Sequence, residues 1–132
     1  MRVLGADDFI RIEADDSRRV VIARRSARPA PERPDLLWHK ALELLDEDEE
    51  PRDEWGLVID VREAVGRNDA DFERALRPLR EMARARFARV VILVRSAVGQ
   101  LQIERLGRED GTELIVTRDP EQALLLAAGI ES

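Results

Sequence analysis

The chain contains no cysteine and a single histidine, His39. Without thiols there are no disulfides, no thiolate metal sites and no cysteine nucleophiles. One imidazole excludes a multi-histidine metal centre and leaves little material for a histidine-based catalytic triad. Serine is scarce as well: Ser17, Ser26, Ser96 and Ser132 are the whole set, and none sits in a nucleophile elbow. Gly66, Gly99 and Gly107 are isolated and no Gly-Lys-Ser/Thr occurs, so there is no phosphate-cradling loop. Long apolar runs are missing, since Val90 to Val94 and Ala123 to Ala128 are far too short to cross a bilayer. The opening Met1-Arg2-Val3-Leu4-Gly5 meets Asp7-Asp8 at once and carries no apolar signal region. These absences lead us to expect a cytoplasmic, non-catalytic protein with no cofactor, no metal and no membrane insertion.

Charge is what the chain has in quantity. Of 132 residues, 38% are charged and 44% hydrophobic, with 22 basic against 28 acidic side chains and a formal net charge of −6. That length suits one domain, spanning residues 1–132, which buries roughly two-thirds of its unfolded surface. A net negative chain is repelled by nucleic acid unless its bases cluster, so no nucleic-acid partner is expected. Every basic residue but Lys40 is arginine, whose planar guanidinium favours bidentate pairing with carboxylates.

Hydrophobic period orders the rest. Phe9-Ile10-Arg11-Ile12-Glu13 alternates as a half-exposed strand, and Ala14-Asp15-Asp16-Ser17 supplies turn chemistry. Arg19-Val20-Val21-Ile22-Ala23-Arg24-Arg25 reads as a second strand, antiparallel to the first and nearer the sheet interior. Ser26 to Pro34, with Pro29, Pro31 and Pro34, is a stiff connector, locally basic, and either a plain linker or an arm for an acidic partner. Asp35 is placed as the N-cap of a first helix running to about Asp46, on a stripe of Leu37, Ala41, Leu44 and Leu45 with Trp38 at its edge. Asp46-Glu47-Asp48-Glu49-Glu50 lacks the interleaved glycine and carbonyl turn of a cation loop and reads as a solvated acidic bend closed by Pro51.

Trp55-Gly56-Leu57-Val58-Ile59-Asp60-Val61-Arg62 is the central segment, a strand buried in the middle of a sheet. Asn68 or Asp69 caps a second helix carrying Phe72, Leu76, Leu79, Ala83 and Phe87, with a kink expected at Pro78 and Arg74, Arg77, Arg80, Arg84 and Arg86 on its other face. Arg89 to Arg95 is another central strand. Ser96 caps a third helix whose stripe is Val98, Leu101 and Leu106, with Ile103 off the main line and Gly107 as its stop. Glu113 to Arg118 is a fifth strand, and Asp119-Pro120-Glu121-Gln122 opens a last helix that ends at Gly129. The expected fold is α/β, a five-stranded, mixed, mostly parallel sheet of order β-β-α-β-α-β-α-β-α. Units that advance in one direction put the strands in sequence order, with the helices on one face.

This order and these lengths, with Asp60 ending the third strand, resemble the STAS domains, the superfamily of SpoIIAA-type anti-sigma-factor antagonists. They also resemble SpoIIAA-like proteins related to lipid-binding CRAL-TRIO domains. The resemblance implies a non-catalytic regulatory or protein-interaction module with a protein partner. In the antagonists a phosphorylatable Ser or Thr begins the next helix; here Glu63 to Asp69 has none, and no hydroxyl residue occurs between Val58 and Ser96. The resemblance is therefore to the module without its phosphorylation switch. The alternative is a small-molecule or lipid carrier using the cleft at the strand ends.

The candidate binding residues follow from where α/β sheets hold ligands, at the carboxyl ends of strands and the amides of helix starts. They are Asp60 and Arg62, the loop residues Arg67, Asn68 and Asp69, and Arg95 with Ser96. Asp60 is expected either to serve a ligand or simply to pair with Arg62 or Arg95. A homodimer through the exposed sheet face or an edge strand stays open.

Overall fold

A computed structural model describes residues 1–28, 38–63, 70–109 and 115–130. They form one six-stranded sheet in the order β1-β2-β3-β4-β5-β6, with four helices among the described residues. The strands are β1 (Arg2–Ala6), β2 (Ile10–Asp15), β3 (Val20–Arg25), β4 (Gly56–Asp60), β5 (Arg89–Leu93) and β6 (Ile115–Thr117). The helices are α1 (His39–Glu47), α2 (Ala70–Arg86), α3 (Ala97–Glu109) and α4 (Pro120–Ala127). β1, β2 and β3 run antiparallel to their neighbours, and β3 through β6 are parallel.

The centre forms because its sequence has nothing polar to expose. β4 pairs in parallel with β5, Leu57 opposite Val90 and Asp60 opposite Leu93. Alternation sends Leu57 and Ile59 to one face and Val58 and Asp60 to the other. On the first face, Ile10, Ile12, Val21, Ala23, Leu57, Ile59 and Ile92 meet Ala41 and Leu45 of α1, Leu79 and Ala83 of α2, and Ile103 of α3. Burying each large side chain of this set contributes about 1.5–3 kcal/mol.

α4 covers the opposite face. Its Ala123 and Ala127 pack with Val20, Ile22, Val58, Val91 and Leu93. Asp119 caps it, accepting from the amides of Glu121 at 2.9 Å and Gln122 at 3.4 Å. Gly129, at φ +80°, closes it: its amide donates to Leu126 O and that of Ile130 to Leu125 O. The helix lies so close to the sheet that a Cβ on Gly56 would stand 1.9 Å from the Ala127 carbonyl oxygen.

Several expectations are corrected here. The sheet has six strands rather than five, the added one being β1, at residues where no element was expected. The last helix crosses to the other face, so three helices share a face rather than all four. α3 is rotated: Val98 and Leu101 are exposed while Ile103 is buried, and the helix runs through the buried Gly107 to Glu109. Gly99, Ile103 and Gly107 recur at i, i+4, and of these Ile103 and Gly107 are buried. Trp38 is fully buried rather than at an edge, and Arg80, expected on the outer face of α2, is buried. α2 does continue through Pro78 without a break, as the sequence led us to expect. The expected caps Asp35, Asn68 and Asp69, the proline-rich stretch beyond Arg28, and Gly111 to Leu114 lie outside the described residues.

Candidate functional site

The hairpin register and the parallel register together assemble the site. Pairing β2 with β3 sets Arg11 opposite Arg24, and pairing β3 with β4 sets Arg24 opposite Asp60. Register partners project from the same face of a sheet, so these three residues form a row crossing β2, β3 and β4. That row lies on the α4 side, at the carboxyl ends of β3 and β4. α4 packs at the other end of β4, against Gly56.

Carboxylates join the arginines of this row. Asp60 binds Arg62 as a fork, Arg62 Nε donating to Oδ1 at 3.0 Å and Nη2 to Oδ2 at 2.8 Å. The Arg62 backbone amide donates to the same Oδ1 at 3.1 Å. Arg24 Nη1 donates to Asp60 Oδ2 at 3.4 Å, and Arg24 Nε donates to Glu13 Oε1 at 3.1 Å. Arg11 Nε lies 3.5 Å from that Glu13 oxygen. Arg11, Glu13, Arg24, Asp60 and Arg62 are thus one continuous chain of charge.

Burial sorts this chain by sign. The side chains of Asp60 and Glu13 are 6% and 14% exposed, while those of Arg62, Arg24 and Arg11 are 32%, 37% and 56% exposed. Acids lie against the sheet and guanidiniums stand above them. A buried carboxylate needs its partners, because an unpaired charge in low dielectric is strongly disfavoured. The hydrogen bonds that Arg62 donates to Asp60 in turn hold its guanidinium above its ordinary pKa, against the burial that lowers it.

Of the expected site residues, the structure brings Asp60 and Arg62 into direct contact. Arg95 makes no ion pair with either among the described residues. The Val61 amide donates to Leu93 O, which extends the parallel ladder by one bond past Asp60, and Arg95 is exposed two residues beyond the end of β5. Ser96 is committed to its helix, its Oγ accepting from the Gly99 amide at 3.1 Å. Arg67, Asn68 and Asp69 lie outside the described residues. Arg11, Glu13 and Arg24 were not among the expected residues. Their signal was the alternation of the first strand, read together with a hairpin turn that fixes register.

Two carboxylates of the acidic bend, Asp48 and Glu50, are paired locally. Arg52, buried under the ring of Trp55 at 4.2 Å, donates through Nε to Asp48 at 2.7 Å and lies 3.4 Å from Glu50. Among the described residues no three His, Asp or Glu side chains group as metal ligands, and no helix is long and apolar enough to cross a membrane. No family model, curated protein or solved structure matches this chain.

Proposed function

We propose that this chain is a non-catalytic regulatory or protein-interaction module of the STAS/SpoIIAA-like kind, working without a Ser/Thr phosphorylation switch. The observation that carries the reading is the segregated row of Arg11, Glu13, Arg24, Asp60 and Arg62 on a part of the sheet that α4 leaves open. Ion pairs buried on one side and exposed on the other give a rigid charged surface, which favours specific docking over chemistry. The alternative of a lipid carrier fares worse, because the carboxyl end of β4 carries an ion pair where an apolar wall is required.

Affinity capture from cells of the source organism tests this, comparing the wild type with an Arg24→Gln/Arg62→Gln variant that retains its circular dichroism. A protein recovered by the wild type and depleted at least tenfold by the variant is the expected result. Equal recovery of the same proteins by both forms would remove the row from the interaction. Lipid retained by the purified wild type in native mass spectrometry would favour the carrier.

A further inference from the structure

We infer that the row formed by Arg11, Arg24 and Arg62 is a receptor for carboxylates, and that its occupant is an extended, acidic segment of a partner protein. This deepens the module reading and rests on it. The inference starts from the donors left over. A guanidinium has five N–H donors. Arg62 spends Nε and one Nη2 hydrogen on Asp60, and Arg24 spends Nε and one Nη1 hydrogen on Glu13 and Asp60. Both hydrogens of Arg62 Nη1 and both of Arg24 Nη2 therefore have no partner among the described residues.

Those donors are also held in place. The Asp60 fork fixes the plane of the Arg62 guanidinium, and Glu13 with Asp60 fixes that of Arg24. Guanidiniums bound from beneath lose little side-chain entropy when a ligand arrives, which is what preorganisation supplies. Because the two acids are the buried members, an approaching group meets donors first. Arg95, past the end of β5, is a further exposed arginine, and Glu63 in the turn after β4 is an exposed acid that acts on Arg62. A local excess of outward cation in a chain of net charge −6 selects an anionic partner.

Geometry favours a peptide. Adjacent strands lie about 4.8 Å apart and residues two apart on a strand about 6.8 Å. Arg11 to Arg24 is one strand step, and Arg24 to Arg62 is one strand step and two residues. An extended segment places alternate side chains about 7 Å apart on one side, so carboxylates at i and i+2 can each meet one fork. Nucleic acid instead brings a continuous line of phosphates to an acidic domain and meets repulsion beyond the row.

The test uses the full chain and a fluorescein-labelled nonapeptide of alternating glutamate and alanine, read by anisotropy. Saturable binding is expected, weakened at least tenfold by Arg62→Gln and by Arg24→Gln and several-fold by the more exposed Arg11→Gln. It should be unchanged by Arg118→Gln, an exposed arginine outside the row, and abolished at roughly 1 M salt, where the Debye length is about 3 Å. Arg11→Gln leaves Asp60 and its partners intact, so it remains informative should the other variants unfold. Absence of saturable binding, equal weakening by Arg118→Gln, or tighter binding of a thymidine oligonucleotide would each overturn the inference. Should the peptide fail while a cellular partner is still lost on changing Arg24 and Arg62, the acidic class falls and the module reading stands.

Discussion

Replacing Gly56 by alanine tests how the two faces of this sheet are joined. The new Cβ would stand 1.9 Å from the Ala127 carbonyl oxygen, 2.5 Å from its carbon and 2.8 Å from its Cα. Ordinary contact begins near 3.4 Å, so α4 must retreat by about 1.5 Å or the strand must bow. The obstacle is backbone, which no rotamer change can move. A gap of even 0.5–1 Å forfeits a quarter to a half of the dispersion well, so Ala123 and Ala127, now fully buried, would lose most of their contact. The hydrogen bond from Arg89 Nε to Ala127 O at 2.8 Å would go as well. Overpacking costs about 1–3 kcal/mol and a hydrogen bond to a charged group about 1.5–3 kcal/mol. Together these predict a loss of roughly 3–5 kcal/mol for Gly56→Ala, a large part of the 5–15 kcal/mol that holds an ordinary domain. At about 4 °C per kcal/mol for a domain near this size, Tm should fall by roughly 12–20 °C. Urea unfolding measures the free energy, and limited trypsin digestion shows whether Arg118, at the entry to α4, becomes the first site cut. A variant within about 0.5 kcal/mol of the wild type would refute close packing of α4 on β4.

Two further predictions concern the ends of elements. Asp119→Ala removes the acceptor for two amides at the start of α4 and should cost about 1 kcal/mol in urea unfolding; no change would mean that the cap is idle. Asp15 accepts from Ser17 and from the amide and guanidinium of Arg18. Burial raises its pKa, but these bonds outweigh burial and bring it below the ordinary 3.8. A carboxylate with a depressed folded pKa stabilises above its unfolded value and loses that contribution as pH falls through the folded one. Asp15→Asn should therefore be less stable than the wild type at pH 7, by about 0.5–1 kcal/mol given the exposure of Arg18. The gap should close below pH 4, and a gap that widens on acidification would contradict this account.

How far the sequence disclosed this fold depends on where each residue's fate is decided. Leu57 to Ile59 and Val90 to Val94 have no polar alternative, so their burial, adjacency and parallel pairing could be read directly. The Asp119-Pro120 start of α4 was equally legible, being a local hydrogen-bond arrangement. β1 was not. Arg2-Val3-Leu4-Gly5-Ala6 shows no period, and its pairing with β2 slips between Val3 and Gly5. A Cβ at Gly5 would meet the terminal methyls of Leu44 at 2.7 Å, which can shift to make room. The phase of α3 was likewise undecidable from apolar spacing, because its inward line is two glycines and Ile103.

The charged row was legible only in halves. Asp60 and Arg62 are two residues apart, and their pairing needs no knowledge of the fold. Arg24 reaches Asp60 across a parallel pair separated by a whole helical crossover, and Glu13 reaches Arg24 through a hairpin register that slides unless its turn is fixed. The turn is fixed by Asp15, which binds the amides of Ser17 and Arg18, and by Arg19 in the left-handed region at φ 57°. Register is therefore the link from that turn to the charged row. A one-residue slip of β2 would move Arg11 and Glu13 to the face occupied by α1 and send Ile10 and Ile12 outward. The cost of exposing those two buried isoleucines, about 1.5–3 kcal/mol each, holds the arginines in line. The core on one side of the sheet thus dictates the spacing of the guanidiniums on the other.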